Sequence, residues 1–136
     1  MIEKDLIEIY KDNMFLLKAE NKDLWFSVMS PLDSDYYKRT FAILTAWNPN
    51  NKPTTDTENS TANTKLKADL SKYEVLDSIG KYNDHEEESF LVYDISIDNA
   101  FILSVKYNQY SVFYNDTNKL SYYECSSKRI LVEKYF

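Results

Sequence analysis

At 136 residues the chain has the length of one ordinary domain, enough to remove about 68 to 70% of its unfolded surface from water without staples. Its 16 basic and 22 acidic residues leave a formal charge of −6, which argues against direct binding to nucleic-acid phosphates or anionic membranes and suits a basic protein partner better. A single cysteine excludes an internal disulfide, and a single glycine excludes the glycine-lined dinucleotide and phosphate loops.

Nothing in this usage requires an oxidising compartment, and no apolar run approaches the roughly 20 residues that cross a bilayer. The expectation is a cytoplasmic, unprocessed chain without a membrane segment. Residues 1–136 read as a single α+β domain.

Ile2, Leu6, Ile9 and Tyr10 recur at helical spacing, which predicts a short N-terminal helix. Two apolar runs from Met14 to Met29, around a polar turn Glu20 to Asp23, predict a hairpin. A helical turn in "SPLDSDYY" precedes the run from Lys38 to Trp47, a buried central strand that Asn48-Pro49 should end, because proline has no N–H for the ladder. After the loop "NPNNKPTT", Thr55 and Glu58 form a capping box, and Asn59, Ala62, Asn63, Leu66 and Leu70 fall on one face of the helix that follows.

"YEVLDSIG" predicts a strand ended by a turn at Gly80, and "SFLVYDISI" predicts another. Asp98 is placed to cap a helix through Tyr107 with Ala100, Phe101, Ser104 and Val105 inward; "AFILSV" is branched enough to be a strand, and helix is the reading adopted. "QYSVFY", a turn at "NDTN" and "KLSYYEC" predict a closing hairpin, with "RILVEKYF" as an edge strand. From Phe41 onward the order is strand, helix, strand, strand, helix, strand, the ferredoxin-like split pattern in an antiparallel or mixed sheet, enlarged by the N-terminal helix-hairpin and the C-terminal hairpin.

Candidate chemistry gathers where the central strand meets its helix. Asn48 leaves the strand while Asn59 and Asn63 stand in the first turns of the helix on its inward stripe, so three amides can converge beside a helix N-terminus that favours a carboxylate, a phosphate or a polar ring. Each asparagine by itself has an ordinary structural role, as an Asx turn or a satisfied backbone donor. In the acidic run "DHEEESF", His85 and Glu87 share one side of an extended segment, and Glu88, nearest the apolar strand, is expected to point into a pocket as a general acid or base. With one histidine and one cysteine no ordinary zinc set can be assembled, so neither metal nor cofactor is expected. Cys125 reads as a small apolar residue.

The pieces "FAILTAWNP", "EN" at Glu58 and Asn59, Asn63 with Leu66 and Leu70, "EESF" and Gln109 in "YNQYSVF" resemble a family of small bacterial proteins catalogued as domain of unknown function 3293. The resemblance implies that Thr45, Asn48, Asn59, Glu88 and Gln109 form one recurrent polar set. It carries no settled activity. Its pattern often has glycine before the glutamine, where this chain has Asn108.

Two functions fit. One is a pocket for a nucleobase- or nucleotide-like small molecule, with Glu88 as acid–base residue and Thr45, Asn48, Asn59, Asn63 and Gln109 orienting the ligand. The other is an acidic protein-interaction module with a tyrosine-rich contact surface, an inhibitor or regulator of a basic or nucleic-acid-binding protein. A third reading is that the polar set only pins the fold. Oligomeric state is left open.

Overall fold

The computed structural model describes residues 3–19 and 21–136; the predicted helix start at Ile2 and the turn residue Glu20 lie outside them. The described elements are α1 (Glu3–Asp12), β1 (Met14–Ala19), β2 (Lys22–Phe26), β3 (Phe41–Leu44), α2 (Asp56–Asp69), β4 (Val75–Tyr82), β5 (His85–Tyr93), α3 (Ile97–Lys106), β6 (Ser111–Asn115), β7 (Lys119–Glu124) and β8 (Ile130–Tyr135), with short 3-10 turns at Ser34–Tyr37 and Pro49–Asn51. Eight strands form one sheet in the order β2-β1-β4-β5-β3-β6-β7-β8, and every pairing is antiparallel.

The sheet is strongly curled, as two rings show. Phe15 on β1 and Tyr122 on β7 stand five strand steps apart, roughly 24 Å in a flat sheet at about 4.8 Å per step, yet their ring centroids lie 6.1 Å apart. The concave face is filled by aromatic side chains, including Phe15, Phe26, Phe41, Phe113 and Tyr122. Tyr10 of α1 stacks on Tyr122 at 4.6 Å, so the first helix caps that core. Helices α2 and α3 cover the other face, where Leu66, Leu70, Ala100 and Phe101 pack on Ala42, Leu44, Phe90 and Val92.

Strand parity follows from this two-sided burial. On β3, Phe41 and Ile43 point to the concave core while Ala42 and Leu44 point to the helices, and all four are buried. β3 lies between β5 and β6, so both its edges are hydrogen-bonded.

Several local expectations are corrected. β3 ends at Leu44, well before Pro49, because side chains take the next backbone donors: Ala46 N–H donates to Asn63 Oδ1 at 2.8 Å and Trp47 N–H to Thr45 Oγ1 at 3.1 Å. β4 runs through Gly80 to Tyr82, with Gly80 paired to both Phe15 and Glu87, and the turn falls at Asn83-Asp84. Ser96, not Asp98, caps α3 by accepting from Asn99 N–H at 3.1 Å; Val105 faces solvent at 53% exposure, and Ala100, Phe101 and Ser104 form the buried stripe. The capping box of α2 is half made: Thr55 accepts from Glu58 N–H, while the Glu58 carboxylate turns to accept from the Thr54 hydroxyl.

The scarcity of glycine explains much of the asparagine. Among the described residues nine non-glycine positions have positive φ, and six of them are asparagine: 21, 48, 50, 51, 83 and 108. Asparagine tolerates the left-handed region better than other side chains with a Cβ, so it serves where other chains use glycine. Asn108, exposed with φ of 57°, gives a direct test. Asn108→Gly is expected to stay within about 0.5 kcal/mol of the parent, and Asn108→Val to lose about 1–2 kcal/mol in urea titrations.

Candidate functional site

The segment leaving β3 is fastened by interlocking amides. Asn59, 1% exposed on α2, accepts from the Asn48 N–H at 2.9 Å and donates through Nδ2 to Asn48 Oδ1 at 3.0 Å. Asn48 Oδ1 also accepts from Thr54 N–H at 3.2 Å, and Asn48 Nδ2 donates to Glu87 Oε1 at 3.1 Å. Asn63, 3% exposed, accepts from Ala46 N–H and donates to the Glu88 carbonyl at 2.9 Å, an oxygen that also accepts from Thr45 Oγ1 at 2.8 Å. Gln109 Nε2 donates to the carbonyls of Trp47 and Tyr107 at 3.0 and 3.2 Å, holding the far side of the same loop.

All six predicted site residues thus meet in one hydrogen-bonded region, but they do not line one cavity. Thr45, Asn48 and Gln109 border a partly open space of about 120 Å³ at the end of the concave face. Asn63 and Glu88 border a more open groove of about 490 Å³ between α2 and the β4–β5 hairpin, and the sheet separates the two. The amides of Asn59 and Asn63 are occupied by protein partners. Glu88 is exposed, and its part in the latch is its backbone carbonyl, which corrects the expected burial of its side chain.

The carboxylate at the cavity is Glu87. Pleating of β5 puts Glu87 on the side of Leu91 and the concave core, and Glu88 on the side of Phe90 and α2. Glu87 keeps 30% of its side chain exposed and holds His85 Nε2 at 3.2 Å as well as Asn48. Only Oε1 is engaged in these bonds. The walls are aromatic: Tyr10, Phe15, Trp47, Tyr110, Phe113 and Tyr122. Tyr122 accepts from Asn13 Nδ2 at 3.1 Å, and burial pushes its phenol far above the ordinary range. Burial likewise pushes Tyr10 up to about 12, so both rings stay neutral under ordinary conditions.

Trp47 adds an unsatisfied group. Its indole Nε1 is buried without a hydrogen-bond partner among the described residues, a situation that costs roughly 1–3 kcal/mol when nothing binds there. Gly80 borders the same cavity, and a Cβ built there would meet the Phe15 ring at 3.4 Å. No group of three or more His, Cys, Asp and Glu side chains gathers among the described residues in a way that could hold a metal ion. Cys125 is buried, and desolvation pushes its thiol up to about 11, away from nucleophilic use.

Residues 44–112, half of the chain and the part that holds the latch, match the protein family of unknown function DUF3293. The chain belongs to that family. No curated protein and no solved structure matches it. The matched stretch runs from the last residue of β3 to the start of β6 and so includes Thr45, Asn48, Asn59, Asn63, Glu87, Glu88 and Gln109. Asn108 holds a left-handed turn immediately before Gln109. No helix among the described residues is long and apolar enough to cross a membrane.

Tyr10, Trp47 and Tyr122 were not among the sequence candidates, and Glu87 stood there only beside His85 in the acidic run, not as a cavity residue. Glu87 had a usable signal, its odd-numbered parity with Leu91, but residues 90–92 are buried on both faces, so the pattern does not say which face holds a cavity. Tyr10 and Tyr122 come from opposite ends of the chain and offered none.

Proposed function

We propose that this DUF3293 protein binds a small polar molecule, nucleobase- or nucleoside-like in size and chemistry, in the concave cavity beside β3. The observation that carries the reading is the composition of that space: six aromatic side chains beside seven polar ones, Asn48, Glu87 and Gln109 among them, a lining that offers a polar ring both stacking faces and hydrogen-bond partners. At about 120 Å³ the space suits one ring better than a whole nucleotide, whose sites usually measure several hundred Å³. In this reading Asn48 and Gln109 shape the mouth, Asn59 and Asn63 hold it in place, and any acid–base role considered for Glu88 passes to Glu87. The reading treats β3-α2-β4-β5-α3-β6 as a ferredoxin-like unit within a single domain, supported by the strand order β4-β5-β3-β6 with both helices on one face.

Thermal unfolding in the presence of adenine, cytosine and their nucleosides tests this. A ligand at 100 times its Kd adds about 2.7 kcal/mol, a readily measured rise in Tm. Asn48→Gly, which keeps the left-handed backbone but removes the amide, and Glu87→Gln should reduce that rise while the unliganded proteins stay folded. No response to any of the four compounds in the parent protein would count against the pocket.

The second reading is an interaction module: Ile102 and Val105, 64% and 53% exposed on α3, offer an apolar contact, and the formal charge of −6 suits a basic partner around it. It expects Ile102→Ser with Val105→Ser to weaken partner binding and leave small-molecule responses unchanged.

A further inference from the structure

The cavity bordered by Glu87 has one carboxylate and no lysine or arginine in its lining among the described residues, and the basic group that meets this carboxylate, His85, stands outside that lining. The pairs around Glu87 leave that charge largely in place: Asn48 contributes a neutral amide, and His85 lies outside the lining at 58% side-chain exposure. Glu87 Oε2 has no hydrogen bond among the described residues.

Two further features point the same way. Six aromatic residues surround the space, and aromatic faces carry the negative end of the ring quadrupole, so they favour cations and resist anions. Gln109 spends its Nε2 on two backbone carbonyls, which leaves its side-chain oxygen as the end able to meet a ligand, again an acceptor. Neutral phenols at Tyr10 and Tyr122 add no compensating charge. A phosphate or carboxylate would meet a carboxylate and π faces, with the neutral Trp47 indole N–H as an unengaged donor but no cation in the described lining to offset its charge.

Resting on the pocket reading above, we infer that the natural ligand is a small planar organic cation rich in N–H donors, of the amidine, guanidine or protonated amino-heterocycle class. Its N–H groups bond the free oxygen of Glu87 and the amide oxygen of Gln109, and its ring or planar face lies against the aromatic wall. Nucleotides and other anions are excluded by the sign of the field.

The test uses three near-isosteres that differ in charge, benzamidinium, benzamide and benzoate, titrated into the full chain with tryptophan fluorescence and thermal unfolding as readouts. Benzamidinium should bind at least about tenfold more tightly than benzamide, and benzoate should not bind. Glu87→Gln should bring benzamidinium down to the level of benzamide, while Glu88→Gln in the outer groove keeps the full preference. If Glu87→Gln does not fold, the charge series on the parent protein decides alone. Equal binding of the three, or preference for benzoate, overturns the inference. A response to adenine or cytosine without preference for benzamidinium overturns the inference and leaves the pocket standing, and silence toward every probe in both experiments removes both.

Discussion

Asn63→Ala is expected to lose about 2–4 kcal/mol of folding stability, among the largest single-residue effects in the chain. The substitution leaves the N–H of Ala46, itself 1% exposed, without an acceptor, and removes one of two donors from the Glu88 carbonyl. An orphaned buried donor costs roughly 1–3 kcal/mol beyond the ordinary worth of a hydrogen bond, and the vacated amide leaves a small void. Urea denaturation should show a lower midpoint with an unchanged slope, since the extent of unfolding is the same. Thr64→Ala, one residue along on the exposed side of α2, should stay within about 0.5 kcal/mol of the parent. Asn63→Asp still accepts from Ala46 but cannot donate to Glu88 when ionised, so it should be strongly destabilised at neutral pH and recover in part in acid. A neutral outcome for Asn63→Ala would mean that the latch contributes nothing to folding.

Alkaline unfolding is the second large effect. Burial raises Tyr10 and Tyr37 to about 12 and Tyr122 further, against an ordinary value of 10.0. The sign follows from the raised values. Below pH 10 these phenols are protonated in both states and their contribution is fully present. As pH climbs past 10 the unfolded chain ionises first, and stability is lost until the folded values are passed. Each such tyrosine removes about 1.4 kcal/mol per pH unit in that window, so the three together remove about 4 kcal/mol per unit. Against a usual total of about 5–15 kcal/mol, cooperative loss of structure should fall between about pH 10 and pH 12. Circular dichroism and tyrosinate absorbance should change together for the buried rings, after the exposed ones have ionised. Tyr122→Phe should flatten the alkaline slope by about 1.4 kcal/mol per unit, while losing the bond from Asn13. Ionisation of all 12 tyrosines near pH 10 with the fold intact would refute the account.

Both effects arise from the same arrangement. A chain with one glycine uses asparagine at its left-handed turns, and the asparagines at the β3–α2 junction do a second task by bonding the neighbouring backbone. The latch keeps Trp47 and Glu87 beside the aromatic core, so the rigidity of the cavity mouth and the stability of the fold rise and fall together. This is why Asn48→Gly, which preserves the backbone, separates the two better than Asn48→Ala.

Periodicity was enough for the elements. Alternating and continuous apolar runs marked the strands, the stripe from Asn59 to Leu70 marked the buried face of α2, and Thr55 marked its start. The meeting of Asn48 with Asn59 was also legible, because a strand that ends where a helix begins leaves their side chains only a short distance to cover, whereas Asn63 turns to the backbone of Ala46 and Glu88. Local rules misplaced Gly80 and Asp98 for one reason: a turn or a cap is available to either residue, and hydrogen bonds from distant strands or from Ser96 decided otherwise.

The sequence by itself therefore determined the α+β class, most of the elements and the polar junction, all consequences of spacing along a short stretch of chain. Only the tertiary structure decided which carboxylate faces the cavity and that there is a cavity at all. A strand buried on both faces hides its own parity, and the curl that brings Phe15 and Tyr10 against Tyr122 depends on contacts more than a hundred residues apart, which no local pattern can encode.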